Sequence, residues 1–572
     1  MATSATDTSL SQVNIPGYGI LQGTIDQQRN IAIFRNVPYA KVPERWRPAV
    51  KPDPWAGVRD ATKQGPICPQ NPSNYPLVKL SPEEVYSIPG KPHPFGLDHD
   101  ETNSLNMNIF VPLEALKKRA SVPVMVWVHG GALRDGSNGL PLYDASNLVQ
   151  RSAQLGRPTI VLSINYRVNV FGFLASKELQ EDAAEYTKAT PGVSAYDQSV
   201  GNWGFMDVKQ AFEWVRENIQ AFGGDNQNIT AFGESAGSIL IHFSILTPAH
   251  YGLFDHAIMQ SGTVSTMPAG IVRVEGQPLF DDLLSKLDIP LNLSPAEKVR
   301  QLRAVPMNKL TLVGDQVIPG GFRLYYDGGK IIPSDKAMQQ RALDPSAYDP
   351  GLKSLMIGAN KDEGSAFTEL LGSQVNLATW PHIVERIVPV PELRPLFETV
   401  YGVPESELQV YKTASQVVSD SMFLYPTEIV SNTFVELAKQ RQGEFKFSRY
   451  HFDAILGYMD TIVPGLGAMH AGEISFVFGP PMADKYMIPR ELNLSKEMQK
   501  LWLLFANQQD YSAKGSGTIA RTDKGQAWVV TVDQQLEVGQ SSRLSEEALL
   551  YWSKISGAIA DRTAAALGAQ GE

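Results

Sequence analysis

The sequence predicts an α/β fold: a central, mostly parallel twisted sheet with helices on both faces and large loop and helical insertions. Short runs that are apolar on both faces recur at Val124–Val128, Thr159–Ile164, Ile229–Phe232, His256–Met259 and Ser354–Ile357, as strands covered on both sides require. Between the second and third runs, Phe205, Val208, Phe212, Val215, Ile219 and Phe222 fall at three- and four-residue steps. That spacing marks an amphipathic helix, which Gly223-Gly224 stops. Finally, the reactive residue types follow the strands: His129-Gly130-Gly131-Ala132, Ser235, Gln260-Ser261-Gly262 and Asn360 to Glu363. Doubly wound sheets bind ligands at this carboxyl edge.

The chain has 572 residues, 43% of them hydrophobic and 19% charged, enough to bury a large core. No Gly/Ser linker, charge block or repeat divides it. Residues 13–567 are therefore expected to form one elaborated domain, with a flexible N-terminus at 1–12 and a tail at 568–572. Ile31 to Ala40 reads as a strand ending in a turn fixed by Pro38. Residues 69–103 are dense in Pro, Gly, His and Asp and lack periodicity. A loop of this length inside a compact enzyme is expected to be a lid or a cleft wall, the alternative being a solvated excursion. Leu544 to Leu567 reads as a helix with Ser545 as its N-cap. It is expected to pack on its own core in a monomer, or to join two copies in a homodimer.

The net charge of -10, without a long Lys/Arg cluster, argues against a nucleic-acid partner. No run is apolar for long enough to span a bilayer. Met1 to Ser11 lacks a secretory pattern, and the lone Cys68 permits no intrachain disulfide. Together these lead one to expect a cytoplasmic chain.

The chemistry centres on Phe232-Gly233-Glu234-Ser235-Ala236-Gly237, which reads as strand, sharp turn and helix. In such a G-x-S-x-G elbow the serine hydroxyl projects at the helix start. A hydroxyl is a poor nucleophile near neutral pH, so it needs a base, and the base needs an acid to fix its tautomer. Three histidines follow the candidate acids. His470 lies in a small-residue loop, His451 lies in a strand-like segment that suits a structural role, and His382 also follows. Asp362 and Glu363 are adjacent, and the chemistry alone does not choose between them. Backbone N–H groups of Gly131, Ala132 and Ala236 would hold an oxyanion.

Ordered matches extend the picture over most of the chain: Phe34 to Ala40, Asn165-Tyr166-Arg167 with Gly172-Phe173-Leu174, Gly201 to Gly204 with Asp207, Phe222 through Gly237, Gly252-Leu253-Phe254 with Gln260-Ser261-Gly262, Asn360 to Ser365, and His470 with Glu473 to Gly479. In these stretches the chain resembles the type-B carboxylesterases, the cholinesterase and fungal lipase-like family of α/β-hydrolases. The resemblance implies Ser235 as nucleophile, Glu363 as acid and His470 as general base. It also implies an oxyanion hole of Gly131, Ala132 and Ala236, with Glu234 and Ser261 supporting the site, and neither metal nor organic cofactor. The activity it implies is that of a serine carboxylesterase acting on a hydrophobic small-molecule ester through an acyl-enzyme. Alternatives are an acyltransferase or lactone-forming or lactone-opening enzyme with the same triad, and a non-catalytic binding protein.

Three departures from the family pattern stand out. Ala132 replaces a glycine and adds a methyl group facing the acyl pocket. Ser104 stands where the half-cystine partner of Cys68 is expected, which would free the 69–103 loop. That loop also has no tryptophan, so a cation-π site for choline is not expected.

Overall fold

The computed structural model describes residues 11–71, 97–266, 272–317, 322–509 and 526–568, apart from a few positions within these ranges. Its centre is an eleven-stranded mixed sheet. In chain order the strands are β1 (Thr24–Asp26), β2 (Ile31–Pro38), β3 (Asn106–Pro112), β4 (Val122–Val128), β5 (Ile160–Ile164), β6 (Gly224–Glu234), β7 (His256–Gln260), β8 (Ser354–Asn360), β9 (Lys446–Phe452), β10 (Gln526–Val530) and β11 (Leu536–Gln540). Across the sheet they lie in the order β11-β10-β9-β8-β7-β6-β4-β5-β3-β2-β1. The stretch from β10 to β5 is parallel throughout, and both edges are antiparallel. This is the α/β-hydrolase arrangement that the sequence leads one to expect.

Each predicted apolar run is a strand of the parallel centre, and the alternation within β4 shows why. Val124, Val126 and Val128 enter one apolar layer, while Met125 and Trp127 enter the layer on the opposite face. Successive side chains point to opposite faces, so a strand covered on both sides must be apolar at every position. The expected amphipathic helix is α1 (Trp203–Asn218), continued by a 3₁₀ turn over Ile219–Phe222. Gly223 ends it in the left-handed conformation, φ 86°, and β6 begins at the next residue. Its start is anchored by the buried pair Arg167–Asp207, in which Arg167 Nε and Nη2 donate to the two carboxylate oxygens at 2.8 and 2.7 Å.

Strand β3 was not legible as an apolar run because Asn106 and Asn108 interrupt it. Both are buried, with their amides donating to Pro66 O and Gln64 Oε1 at 2.8 Å each.

Most of the 69–103 loop, residues 72–96, lies outside the described residues, as do residues 1–10 and 569–572. The base of the loop is tied rather than free. Ile67 N–H donates to Asp98 O at 2.9 Å, and Asp100 N–H donates to Ile67 O at 3.0 Å. Cys68 is buried with Val168 N–H directed at its sulfur, 3.4 Å away.

A third apolar cluster lies under the helical insertion formed by α3 (Arg394–Tyr401) and α4 (Glu407–Ser419), where a π-turn over Asp420–Leu424 leads into α5 (Tyr425–Gln440). The C-terminal helix α7 (Glu546–Gly568) packs into it through Tyr551, Trp552 and Ile555; α6 (Pro489–Ala506) covers the other side of the sheet. Ser545 caps α7, accepting from Ala548 N–H at 3.1 Å. No described helix is long and apolar enough to cross a membrane.

Candidate active site

Ser235 sits at the junction of β6 and helix α2 (Ala236–Leu246), with φ 54° and ψ -122°. A side-chain-bearing residue pays about 1–3 kcal/mol for such a conformation, which persists only where the surroundings enforce it. Here the enforcement comes from close packing of backbone. A Cβ on Gly237 would lie 2.0 Å from Val128 O, and one on Gly233 would lie 2.7 Å from the same atom. Only glycine lets α2 start this close to the end of β4. Ser235 N–H donates to Gln260 O at 2.9 Å, tying the elbow to β7. From Ile229 to Thr247, Ser235 is the one residue that is not buried. Its hydroxyl makes no hydrogen bond to a described residue.

The turn after β4 lies against the elbow. A Cβ on Gly130 would come within 2.7 Å of Glu234 Oε2 and 3.0 Å of the Ser235 Cβ. Gly131, Ala132 and Leu133 all have positive φ, at 113°, 55° and 58°. Ala132 O accepts from Phe322 N–H at 3.0 Å, and Gly131 O accepts from Arg134 N–H at 2.9 Å and Asp135 N–H at 3.1 Å. The carbonyls of this loop are therefore occupied. By contrast, the N–H groups of Gly131, Ala132 and Ala236 have no hydrogen-bond partner among the described residues. Unpaired amide donors are uncommon in folded chains and suit a site that binds developing negative charge.

The loops after β8 and β9 supply the base and acid candidates. His470 is buried, and its Nδ1–H donates to Glu363 Oε2 at 2.5 Å. Glu363 is held in turn by Asn360 N–H, which donates to Oε1 at 2.7 Å. Asp362 faces elsewhere: it accepts from Ala468 N–H at 2.8 Å and braces the loop that carries His470. Of the other two histidines, His451 lies buried within β9 and the side chain of His382 is 85% exposed. Phe367 and Phe423 flank the imidazole, with ring centroids 4.9 and 4.7 Å away.

His470 Nε2 reaches the residue preceding Ser235, lying 2.9 Å from Glu234 Oε1. That oxygen nevertheless has no hydrogen-bond partner. The approach is a close charge contact. Burial alone would lower the His470 pKa, but the carboxylates of Glu234 and Glu363 outweigh it and hold the pKa well above the ordinary value. Glu234 shifts upward, mainly through burial, against the attraction of His470.

Behind these residues lies a layer in which the sequence reading assigned Glu473 no role and led one to expect Ser261 to support the site. Glu473 accepts from Gln260 Nε2 at 2.9 Å and from Asn360 Nδ2 at 2.6 Å. Burial, then repulsion from Glu234 and Glu363, pushes its carboxyl up to about 8. Gln260 also accepts from Trp502 Nε1 at 3.0 Å, so α6 braces the strand end to which the elbow is tied. The sequence signal for Glu473 was its place at the head of the matching stretch Glu473 to Gly479, three residues after His470. Ser261 sits in the Gln260–Gly262 turn with φ 54°, and its buried Oγ has no hydrogen-bond partner. Gly262, next to it, packs so tightly that a Cβ there would lie 2.5 Å from Ser235 O. Among the described residues, no group of three or more His, Cys, Asp or Glu is arranged to hold a metal ion.

The structure thus brings His470, Glu363, Glu234 and the Ser235 elbow together at the carboxyl edge of the sheet, with the amides of Gly131, Ala132 and Ala236 beside them. The chain is also similar to known proteins over most of its length. Residues 9–549 match the Carboxylesterase family. The para-nitrobenzyl esterase of Bacillus subtilis (strain 168) is 28% identical over 562 residues, covering 95% of this chain and 99% of that protein. Fumonisin B1 esterase of Sphingopyxis macrogoltabida is 28% identical over 495 residues, covering 83% of this chain and 79% of that protein. A solved PNB esterase superposes with a TM-score of 0.71 at 26% identity, over 95% of this chain and 99% of its own.

Proposed function

Given that the chain belongs to the carboxylesterase family and is a carboxylic ester hydrolase, we propose that it works through an acyl-enzyme formed on Ser235, with His470 as base and Glu363 as its orienting acid. The observation that carries this reading is the 2.5 Å bond between His470 Nδ1 and Glu363, which fixes the tautomer and leaves Nε2 facing the elbow. In the resting structure Nε2 faces Glu234, and the serine hydroxyl must turn toward it. Such contacts commonly tighten only when substrate binds.

In the first half-reaction, neutral His470 takes the Ser235 proton as Oγ attacks the ester carbonyl. The unpaired amides of Gly131, Ala132 and Ala236 receive the oxyanion. His470 then passes the proton to the departing alcohol, and water repeats the sequence to release the acid. The Phe367 and Phe423 rings beside the imidazole favour a hydrophobic ester of a small molecule. Hydrolysis of a series of aryl esters by wild type and Ser235→Ala tests the reading. The variant is expected to lose about six powers of ten in turnover, and near-normal hydrolysis by it would refute the assignment.

A further inference from the structure

We infer that Asp420 is a positioning residue, which holds the π-turn it begins so that the turn steadies both members of the Glu363–His470 pair. The inference rests on the catalytic reading of that pair. Six contacts support it. Immediately before the turn, Ser419 Oγ accepts from Gly364 N–H at 2.8 Å, fixing the backbone beside Glu363. A Cβ on Gly364 would lie 2.1 Å from Ser415 O, so the end of α4 and the acid loop fit without slack. Within the turn, Phe423 packs on the imidazole of His470 and also stacks on Phe367, with centroids 5.9 Å apart. At its head, Asp420 accepts from Tyr401 Oη at 2.8 Å and from Gln416 Nε2 at 2.6 Å.

A π-turn inserts an extra residue into a helix and is frequently found at functional sites. Without an anchor, the long α4–α5 helix would relax to the ordinary ladder and carry Phe423 off the ring. The Asp420 carboxyl is 2% exposed and forms no ion pair with a described residue. Burial pushes it up to about 7. A buried carboxyl held by two neutral donors and no cation is an expensive way to stabilise a helix that an apolar residue would serve better, which points to its geometry as the reason it is there. The anchor extends further, because Trp552 Nε1 donates to Tyr401 Oη at 2.7 Å. The C-terminal helix α7 thereby connects, through Trp552, Tyr401 and Asp420, to the wall of the catalytic imidazole.

The test uses the full chain and four variants: Asp420→Ala, Asp420→Asn, Tyr401→Phe and Trp552→Phe. For each, the rate of Ser235 labelling by a fluorophosphonate and kcat and KM for a small aryl ester are measured well below the unfolding midpoint. Asp420→Ala is expected to lower both the labelling rate and kcat by about tenfold or more, as small misplacements of catalytic groups do. KM should stay within a factor of about three, since no group touching the substrate is removed. Asp420→Asn, which keeps the shape and an acceptor oxygen, should recover most of the loss. Tyr401→Phe and Trp552→Phe should each cost about threefold, the worth of one buried hydrogen bond.

A folded Asp420→Ala protein that labels at the wild-type rate would overturn the inference, as would a rise in KM at unchanged kcat. If Asp420→Ala fails to fold, Tyr401→Phe decides: wild-type labelling in that variant overturns the inference equally. Failure of the wild type itself to label at Ser235 would instead refute the catalytic reading, so the two failures are distinguishable.

Discussion

His470 Nε2 stands 2.9 Å from Glu234 Oε1, with no hydrogen bond satisfying that oxygen. The imidazole therefore lies between two carboxylates, bonded to Glu363 on one side and attracted by Glu234 on the other. This places a second negative charge beside the proposed base, and its consequence is a question of sign. A general base works only when neutral, so kcat/KM should rise with pH as His470 loses its proton. Because the carboxylates hold that pKa well above 6.5, against the pull of burial, the rising limb is expected on the alkaline side of the usual histidine range. Glu234→Gln removes one carboxylate and should move the limb to lower pH. The pH dependence of kcat/KM for an activated aryl ester, wild type against Glu234→Gln, checks both position and direction.

Gly237→Ala should damage the elbow itself. The added Cβ would meet Val128 O at 2.0 Å, and backbone on both sides leaves it nowhere to go. A loss of about 3 kcal/mol in urea unfolding is expected, together with loss of fluorophosphonate labelling. Wild-type stability in this variant would mean that α2 does not start as close to β4 as the structure has it.

The Arg167–Asp207 pair anchors α1 from within the core, with side chains 2% and 0% exposed. Arg167→Met leaves Asp207 buried without its partner and should cost about 3–5 kcal/mol. Denaturant unfolding followed by circular dichroism measures this, and a change below about 1 kcal/mol would be at odds with a buried, bidentate pair.

Cys68 is expected to be inert in the native protein. Burial pushes its thiol up to about 12, so thiolate is scarce at neutral pH, and reagents cannot reach the sulfur. Iodoacetamide should therefore leave native Cys68 unmodified and alkylate it fully in denaturant, as read by intact mass.

The parallel centre of the sheet was legible because covered strands must be apolar at every position, as Val124 to Val128 illustrate. The elbow was legible because Gly233 and Gly237 serve a local backbone geometry. What could not be read depended on long-range placement. Asp362 and Glu363 are equally acidic neighbours that chemistry alone does not separate; the family resemblance implied Glu363, and in the fold Ala468 N–H engages Asp362 while Asn360 N–H and His470 engage Glu363. Strand β3 hides behind Asn106 and Asn108, polar residues satisfied by a distant loop. The π-turn at Asp420 leaves no mark in hydrophobic periodicity, so the approach of Phe423 to the imidazole had no sequence signal at all.

Acylation of Ser235 is the step on which the proposed mechanism turns. Treating the intact chain with a fluorophosphonate and locating the adduct by peptide mass spectrometry tests it most directly. One adduct is expected, on the peptide containing Ser235, appearing in step with loss of esterase activity and slowed strongly in His470→Gln. An adduct on another residue that tracks the inactivation, or full esterase activity after Ser235 is modified, would contradict it.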